Sequence, residues 1–399
     1  MTTAGQIRTW RGPALFIYGF RPFFLGGAIW AALAMALWIG MLGGALALPT
    51  AFDPVSWHAH EFLFGYLGAV LAGFLTTAVP NWTGRMPIVG RPLAALFALW
   101  IAGRVAVAMS AVLPPPLAAA VDLAFPVVFA MAIGREIVAG RNWRNLGILA
   151  LLVTFILANA LFHWEAARGE FAAEGTGLRL GLAAALMMVA LIGGRIVPSF
   201  TRNWLVKRGE ARLPAPPMQR FDKLALGTLL CALVVWVVLP KGWPTTVLLS
   251  LAGVLHIVRL WRWRGGLALA EPLVFVLHAA YAFLPLGAFA EAVGAVAPGV
   301  MGTGGQHLWM AGAVGLMTLA VMTRATLGHT GQALTAGPGT IAVYLALILA
   351  VLARLVAGMV PAVAMPLYHV AGAAWIAAFA GYAILYGPLL LCASPGKRL

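Results

Sequence analysis

Twelve apolar runs, each about twenty residues long, leave this 399-residue chain little room to fold in water. A helix rising ~1.5 Å per residue needs about 20 such residues to cross the hydrocarbon core of a bilayer. Runs of that length, punctuated by Pro, Gly and charge, lie near 23–46, 59–79, 92–112, 117–138, 145–166, 177–198, 221–239, 245–262, 272–293, 306–327, 340–359 and 366–391. The longest stretch between them, the polar segment from Thr201 to Arg220, is too short for a soluble domain. Only 9% of the residues are charged and 62% are hydrophobic, against about 25% and 45–50% in soluble proteins, so most of the outer surface must face lipid. The expectation is an all-α integral membrane protein, a single polytopic domain over 1–399. Cys231 and Cys392 lie in apolar runs and read as packing residues, which leaves no disulfide framework. The first apolar run lacks a cleavage signature before it and reads as a retained span.

The 26 Lys and Arg against 11 Asp and Glu give the chain a strong basic balance. In a soluble protein that would suggest nucleic acid, but here its distribution explains it. With the N-terminus placed inside, the cytoplasmic side collects Arg8, Arg11, Arg21, Arg85, Arg91, Arg135, Arg141, Arg144, the cluster from Arg195 to Lys223, Arg259, Arg262, Arg264, Arg324, Lys397 and Arg398. Only Arg104, Arg168, Arg179, Lys241 and Arg354 remain for the other half, while Asp53, Glu61, Asp122, Glu165, Glu170, Glu174 and Glu291 fall outside. This positive-inside bias orients the chain with both termini cytoplasmic and needs no nucleic-acid partner. The tryptophans, mostly at span ends, form the aromatic belt of a lipid interface.

Sliding the sequence on itself by 247 residues lays the second run on the tenth, pairing His60 with His307, Gly65 with Gly312, Thr76 with Thr323 and Gly84 with Gly331. After a three-residue gap Arg104 falls on Arg354, and a shift of 118 pairs Val79-Pro80 with Val197-Pro198. Three groups of four helices, over 1–140, 141–265 and 266–399, account for these spacings, and shared sites in repeat-built membrane proteins tend to lie at repeat interfaces.

Ionisable groups inside apolar spans are expensive and therefore candidates for function, with interhelical hydrogen bonding as the competing explanation. His58, His60, His163, His307 and His369 lie near the outer ends of their runs, and His256, His278 and His329 towards the cytoplasmic side. On a regular helix His58 and His60 point about 200° apart and converge only if His58 precedes regular geometry. Imidazole is the commonest metal ligand, so His58, His60, His307 and His163 are candidate metal ligands, with Glu61 placed to orient a ring or carry a proton. His163 follows Asn159 by four, on one helical face. His307 and His329, 22 residues apart on one helix, are separated by roughly 33 Å and cannot share an ion. His278 and His329 are candidates for an inner centre; His256 and His369 read as structural. Arg195, loosened by Gly193, Gly194 and Pro198, is a candidate anion-binding residue with Arg324. Arg104 and Arg354 sit well within apolar runs and need carboxylate or carbonyl partners.

The runs Trp57-His58-Ala59-His60-Glu61, Ala78-Val79-Pro80-Asn81-Trp82-Thr83-Gly84, Gly194-Arg195-Ile196-Val197-Pro198-Ser199-Phe200-Thr201 and Met322-Thr323-Arg324-Ala325-Thr326-Leu327-Gly328-His329-Thr330-Gly331 resemble the NnrS family. The resemblance extends from Arg21-Pro22-Phe23-Phe24 to the last run, with one departure: Gln332 follows the last of these segments where Arg is expected. It implies a twelve-span protein of the bacterial inner membrane that contains haem, b-type by expectation, and copper, and that is tied to denitrification and the response to nitric oxide. It also makes His58, His60, His307 and His329 the leading cofactor ligands, with His278, His163 and Arg195 next. The expected function is binding or processing nitric oxide and protecting against nitrosative stress. A haem beside a copper would have redox activity towards the gas, whereas a six-coordinate haem would sense it or pass electrons. The residues alone leave open a permease for a metal or haem-related solute, since twelve spans with repeats and Gly- and Pro-broken helices also suit alternating access.

Overall fold

The computed structural model describes residues 10, 12–85 and 87–392. The orienting charges Arg8, Arg11, Lys397 and Arg398 lie outside them. Among the described residues 81% of the structure is helical and there are no strands. Twelve helices are long and apolar enough to cross a membrane: α1 Phe20–Leu42, α2 Pro54–Pro80, α3 Arg91–Ala108, α4 Pro115–Ala139, α5 Trp143–Ala167, α6 Thr176–Lys207, α7 Arg220–Val238, α8 Trp243–Arg262, α9 Pro272–Val296, α10 Gly304–Thr330, α11 Pro338–Met359 and α12 Pro361–Leu391. Each apolar run of the sequence lies on one of them. The helical form follows from the solvent: lipid offers the backbone no hydrogen bonds, so each segment must satisfy its own.

Short polar devices set where the helices begin. Asp53 caps α2, its carboxylate accepting from the N–H groups of Val55 and Ser56 at 2.9 Å each, and Pro54 takes the first helical position, where no donor is needed. Gln219 and Asp222 cap the start of α7 reciprocally. Glu165, near the end of α5, accepts from the N–H groups of Thr176 and Gly177 and so holds the first turn of α6.

The chain forms two compact units, one built from 1–181, 325–332 and 379–399, the other from 182–324 and 333–378. In the first, α2 is the central span, 83% buried over its most apolar stretch, whereas α3, α4 and α5 are each 39% buried and turn one face outward. In the second, α9 plays the central part at 72%. Outward faces carry exposed Leu, Val, Ile and Trp side chains, as lipid contact requires.

Regular α-helix does not run unbroken through three of the spans. Glu61–Tyr66 in α2, Val189–Gly193 in α6 and Leu308–Leu316 in α10 are π-helical. These spans are four apart in the chain. A π turn shifts the hydrogen-bond register and releases carbonyls that other groups must satisfy. In α2 the Gly65 carbonyl accepts from the indole N–H of Trp100, and in α6 the Ala190 carbonyl accepts from Arg259.

Candidate functional site

The most polar point of the first unit is buried deep among its spans. Glu61, at the start of the π-helical turn of α2, is fully buried and faces Arg104 of α3, whose Nη1 donates to both carboxylate oxygens at 2.7 Å. Arg104 Nη2 donates to Asp122 Oδ1 from α4. One guanidinium thus bridges carboxylates from two helices. Its close approach depends on Gly65, where a Cβ would collide with the guanidinium and with Glu61.

His60 completes the cluster from the neighbouring position on α2. Its Nδ1 lies 3.0 Å from Glu61 Oε1, and its Nε2 lies 2.9 Å from Asn159 Oδ1 and 3.3 Å from Asp122 Oδ2. From α5, Asn159 donates its amide to Asp122 Oδ2 at 2.8 Å, and His163 Nε2 lies 3.1 Å from that same oxygen. Asn159 and His163 are four residues apart, so both reach one carboxylate from one face of α5. Asp122 is the hub, meeting an arginine, an amide and the two imidazoles.

Two carboxylates, one guanidinium and two imidazoles meet in a region that water does not reach, and one further positive charge, a proton on an imidazole or a bound cation, balances the two carboxylates. His60 Nε2, His163 Nε2 and an Asp122 carboxylate oxygen lie within 4.8 Å of one another, all buried. The imidazole–carboxylate separations of 3.1 and 3.3 Å are direct contacts, and ligation of one small ion, whose bonds of about 2.0–2.2 Å in tetrahedral geometry put ligand atoms about 3.3–3.6 Å apart, needs the first to widen by a few tenths of an ångström. Glu61 on the far nitrogen of His60 fixes the ring as an outer carboxylate does in metal sites.

A porphyrin does not fit on His60. The ring is boxed by Phe52, Phe64, Phe162 and His163, with ring centres 5.0–5.5 Å away, and neither nitrogen faces an open slot.

The other expected ligands sit apart from this cluster. His58 diverges from His60 as regular helical spacing dictates, its ring stacked on Trp38 with centres 4.2 Å apart and beside Phe62. His307 belongs to the second unit, where its Nδ1 donates to the Thr303 carbonyl at 2.8 Å. His329 is exposed and stacks on Phe20. His278 is buried, its Nε2 donating to Thr201 Oγ1 at 2.8 Å. That hydroxyl gives its own proton to the Val197 carbonyl, and Nδ1 has no partner. Arg195 is half-buried, just beyond the π turn of α6. His256, expected to be structural, bonds to the Tyr281 hydroxyl and the Ala225 carbonyl.

The second unit has its own buried charge pair. Arg259 of α8 donates through Nε to Asp222 of α7 at 2.7 Å and through Nη1 to the Ala190 carbonyl and the Tyr281 hydroxyl at 2.9 and 2.8 Å. Trp263 covers its face at 5.2 Å. This arrangement ties the π turn of α6 to α7 and α8 and holds no set of metal donors.

Asp122 and Asn159 were not among the expected ligands. Asp122 had a signal, as a lone carboxylate deep inside the apolar stretch of a 25-residue helix.

The family model for NnrS proteins matches residues 14–393, nearly the whole chain. The chain belongs to the NnrS family. No curated protein matches it. Membership in the NnrS family, together with twelve membrane-crossing helices, makes this a multi-pass membrane protein associated with the response to nitric oxide.

Proposed function

We propose that this protein works in the bacterial inner membrane, holds a copper ion at His60, Asp122 and His163, and uses that site to bind or process nitric oxide, protecting denitrifying cells from nitrosative stress. The observation that carries the reading is the convergence of two imidazole nitrogens and one carboxylate oxygen, all buried. Imidazole with carboxylate suits a first-row metal, and copper is the one we assign here, the metal expected from the resemblance of the sequence motifs. Bound there, copper supplies one-electron chemistry towards a small apolar gas that partitions into lipid.

The chain's own residues do the rest. His60 and His163 present their Nε2 atoms from two helices, and Asp122 presents Oδ2 between them. Glu61 orients His60, Asn159 steadies Asp122, and Arg104 pairs with both carboxylates. Phe52, Phe64 and Phe162 keep water from the imidazoles. Haem, the other group that the resemblance implies, is not placed on His60, whose ring is boxed by Phe52, Phe64, Phe162 and His163.

Metal content tests the reading. The full-length protein, purified in detergent and loaded with copper, should retain the ion after desalting, and Asp122→Asn and His163→Ala should lose it while eluting as folded protein. Copper retained by both variants would sink the site. Cells expressing Asp122→Asn should survive a nitric oxide donor no better than cells lacking the protein; full protection by that variant would refute the functional role.

A further inference from the structure

A gas and a metal ion reach a buried cluster by different routes. Nitric oxide dissolves in lipid, but a copper ion is charged and does not cross hydrocarbon to meet its donors. It must come from water, at an end of the spans. Of the three converging donor residues His60 and Asp122 are sealed, at 0% and 1% exposed, and His163, at 7%, is the one that touches the exterior.

Beside that opening stands Phe52. It belongs to the connector 43–53 between α1 and α2, in which Phe52 alone is buried. Its ring centre lies 5.5 Å from those of both His60 and His163 and 5.8 Å from that of Phe162. Glu61, Arg104, Asp122, Asn159, Phe64 and Phe162 all come from spanning helices, whereas Phe52 comes from a connector. A packed helix cannot step aside alone, but a ring on a connector needs only a change of rotamer. The connector is latched just past the end of α3. Ser110 Oγ accepts from the Ala51 N–H at 2.9 Å and from the Thr50 hydroxyl at 3.1 Å, and gives its own proton to the Val107 carbonyl. The Phe52 N–H in turn donates to Thr50 Oγ1 at 3.3 Å.

We propose that Phe52 is the gate through which the metal enters and leaves this cluster. With its ring seated on His60 and His163 the donors are closed to water; with the ring swung outward, the ion passes between the connector and His163. This rests on the copper reading given above. Phe52 offers the ion no ligand, so it sets the rates of loading and release and leaves the affinity to the donors. Ser110 acts through the connector, holding the backbone that carries the ring.

The test uses the full-length protein in detergent. On the metal-free form, diethyl pyrocarbonate marks accessible imidazoles and mass spectra read the rate at each. His163 should react slowly in wild type and about tenfold faster or more in Phe52→Ala, the effect of losing the ring contacts that hold the gate shut. His369, exposed at the start of α12, should react at one rate in both. On the copper-loaded form, a sulfonated phenanthroline chelator with ascorbate should strip copper from Phe52→Ala faster by a similar factor. Ser110→Ala, which unlatches the connector, should fall between. Equal His163 rates in wild type and Phe52→Ala overturn the gate, and so does faster reaction of the buried His256 alongside His163, the mark of general loosening. A wild type that holds no copper overturns the metal reading, and the metal-free rates still decide whether Phe52 closes the cluster. Should Phe52→Ala not fold, Ser110→Ala decides: a His163 rate no faster than in wild type also overturns the proposal.

Discussion

Arg104 Nη1 lies 2.7 Å from both carboxylate oxygens of Glu61, a residue 43 positions earlier on a different helix. The same guanidinium reaches Asp122, so α2, α3 and α4 are tied together by one side chain. Removing it leaves two buried carboxylates with no fixed counter-charge. Breaking a buried pair from one side typically costs ~3–5 kcal/mol, far more than an exposed pair. Arg104→Met should therefore lower the thermal unfolding midpoint of the purified protein steeply. Arg104→Lys should recover only part of the loss, since an ammonium is a point charge and cannot fork between two helices. Equal midpoints for wild type and Arg104→Met would show that the bridge contributes little to the fold.

Glu61 touches the far nitrogen of His60 and none of the three converging donor atoms. Glu61→Gln should keep the stoichiometry of bound copper but weaken it by about 10–100-fold, the usual effect of losing a carboxylate that orients a ligating ring. Competition against a chelator of known affinity reads this directly. A variant that holds copper as tightly as wild type would mean that packing alone orients His60.

The twelve spans were legible because lipid enforces a simple rule: about twenty apolar residues form a helix that satisfies its own backbone. His163 and Asn159 were legible as one face because four residues is close to one turn. Glu61 beside His60 was legible as an orienting carboxylate for the same local reason. What the sequence hid was tertiary. Asp122 stood out as a carboxylate inside an apolar run, but only the packing of α2, α3, α4 and α5 makes it the hub. The π turns were hidden because they depend on partners for released carbonyls, such as Trp100 for Gly65 and Arg259 for Ala190, supplied from distant parts of the chain. The pairing of His60 with His307 by sequence matching says nothing of side-chain surroundings. His60 sits among carboxylates, while His307 bonds to a backbone carbonyl one turn away.

Asp222 and Arg259 form the second buried ion pair, at 2.7 Å, and Arg259 has further partners in the Ala190 carbonyl and Tyr281. Asp222→Asn leaves the guanidinium without its charge partner, and Arg259→Met leaves the carboxylate, the π-turn carbonyl and the phenol without their donor. Each should destabilise by ~3–5 kcal/mol. The double variant should lose clearly less than the sum, because the second change removes a group already stranded by the first. A double-variant cycle on unfolding midpoints checks this, and strict additivity would show that the two groups do not act as a pair.

Two glycines make the arginine contacts sterically allowed, and they separate packing from propensity. A Cβ at Gly65 would meet the Arg104 guanidinium and the Glu61 carboxylate, and one at Gly194 would meet the guanidinium of Arg259. Both lie in helical backbone with ordinary negative φ, where alanine is otherwise favoured over glycine by roughly 0.5–1 kcal/mol. Propensity alone therefore predicts that both Gly→Ala changes stabilise. Overpacking a closed site costs typically 1–3 kcal/mol, and here the colliding atoms belong to a side chain pinned at both ends rather than one free to swing away. Gly65→Ala and Gly194→Ala should thus destabilise, and Gly65→Ala should also weaken copper retention by pushing Arg104 off Glu61 and Asp122. Gly147 in α5 is the control, because a Cβ there would meet no atom within 4 Å, and Gly147→Ala should be neutral or stabilising. Unfolding midpoints of the three variants decide it, because a Gly65→Ala protein as stable as Gly147→Ala would show that Arg104 has room to retreat and that the bridge is looser than its geometry implies.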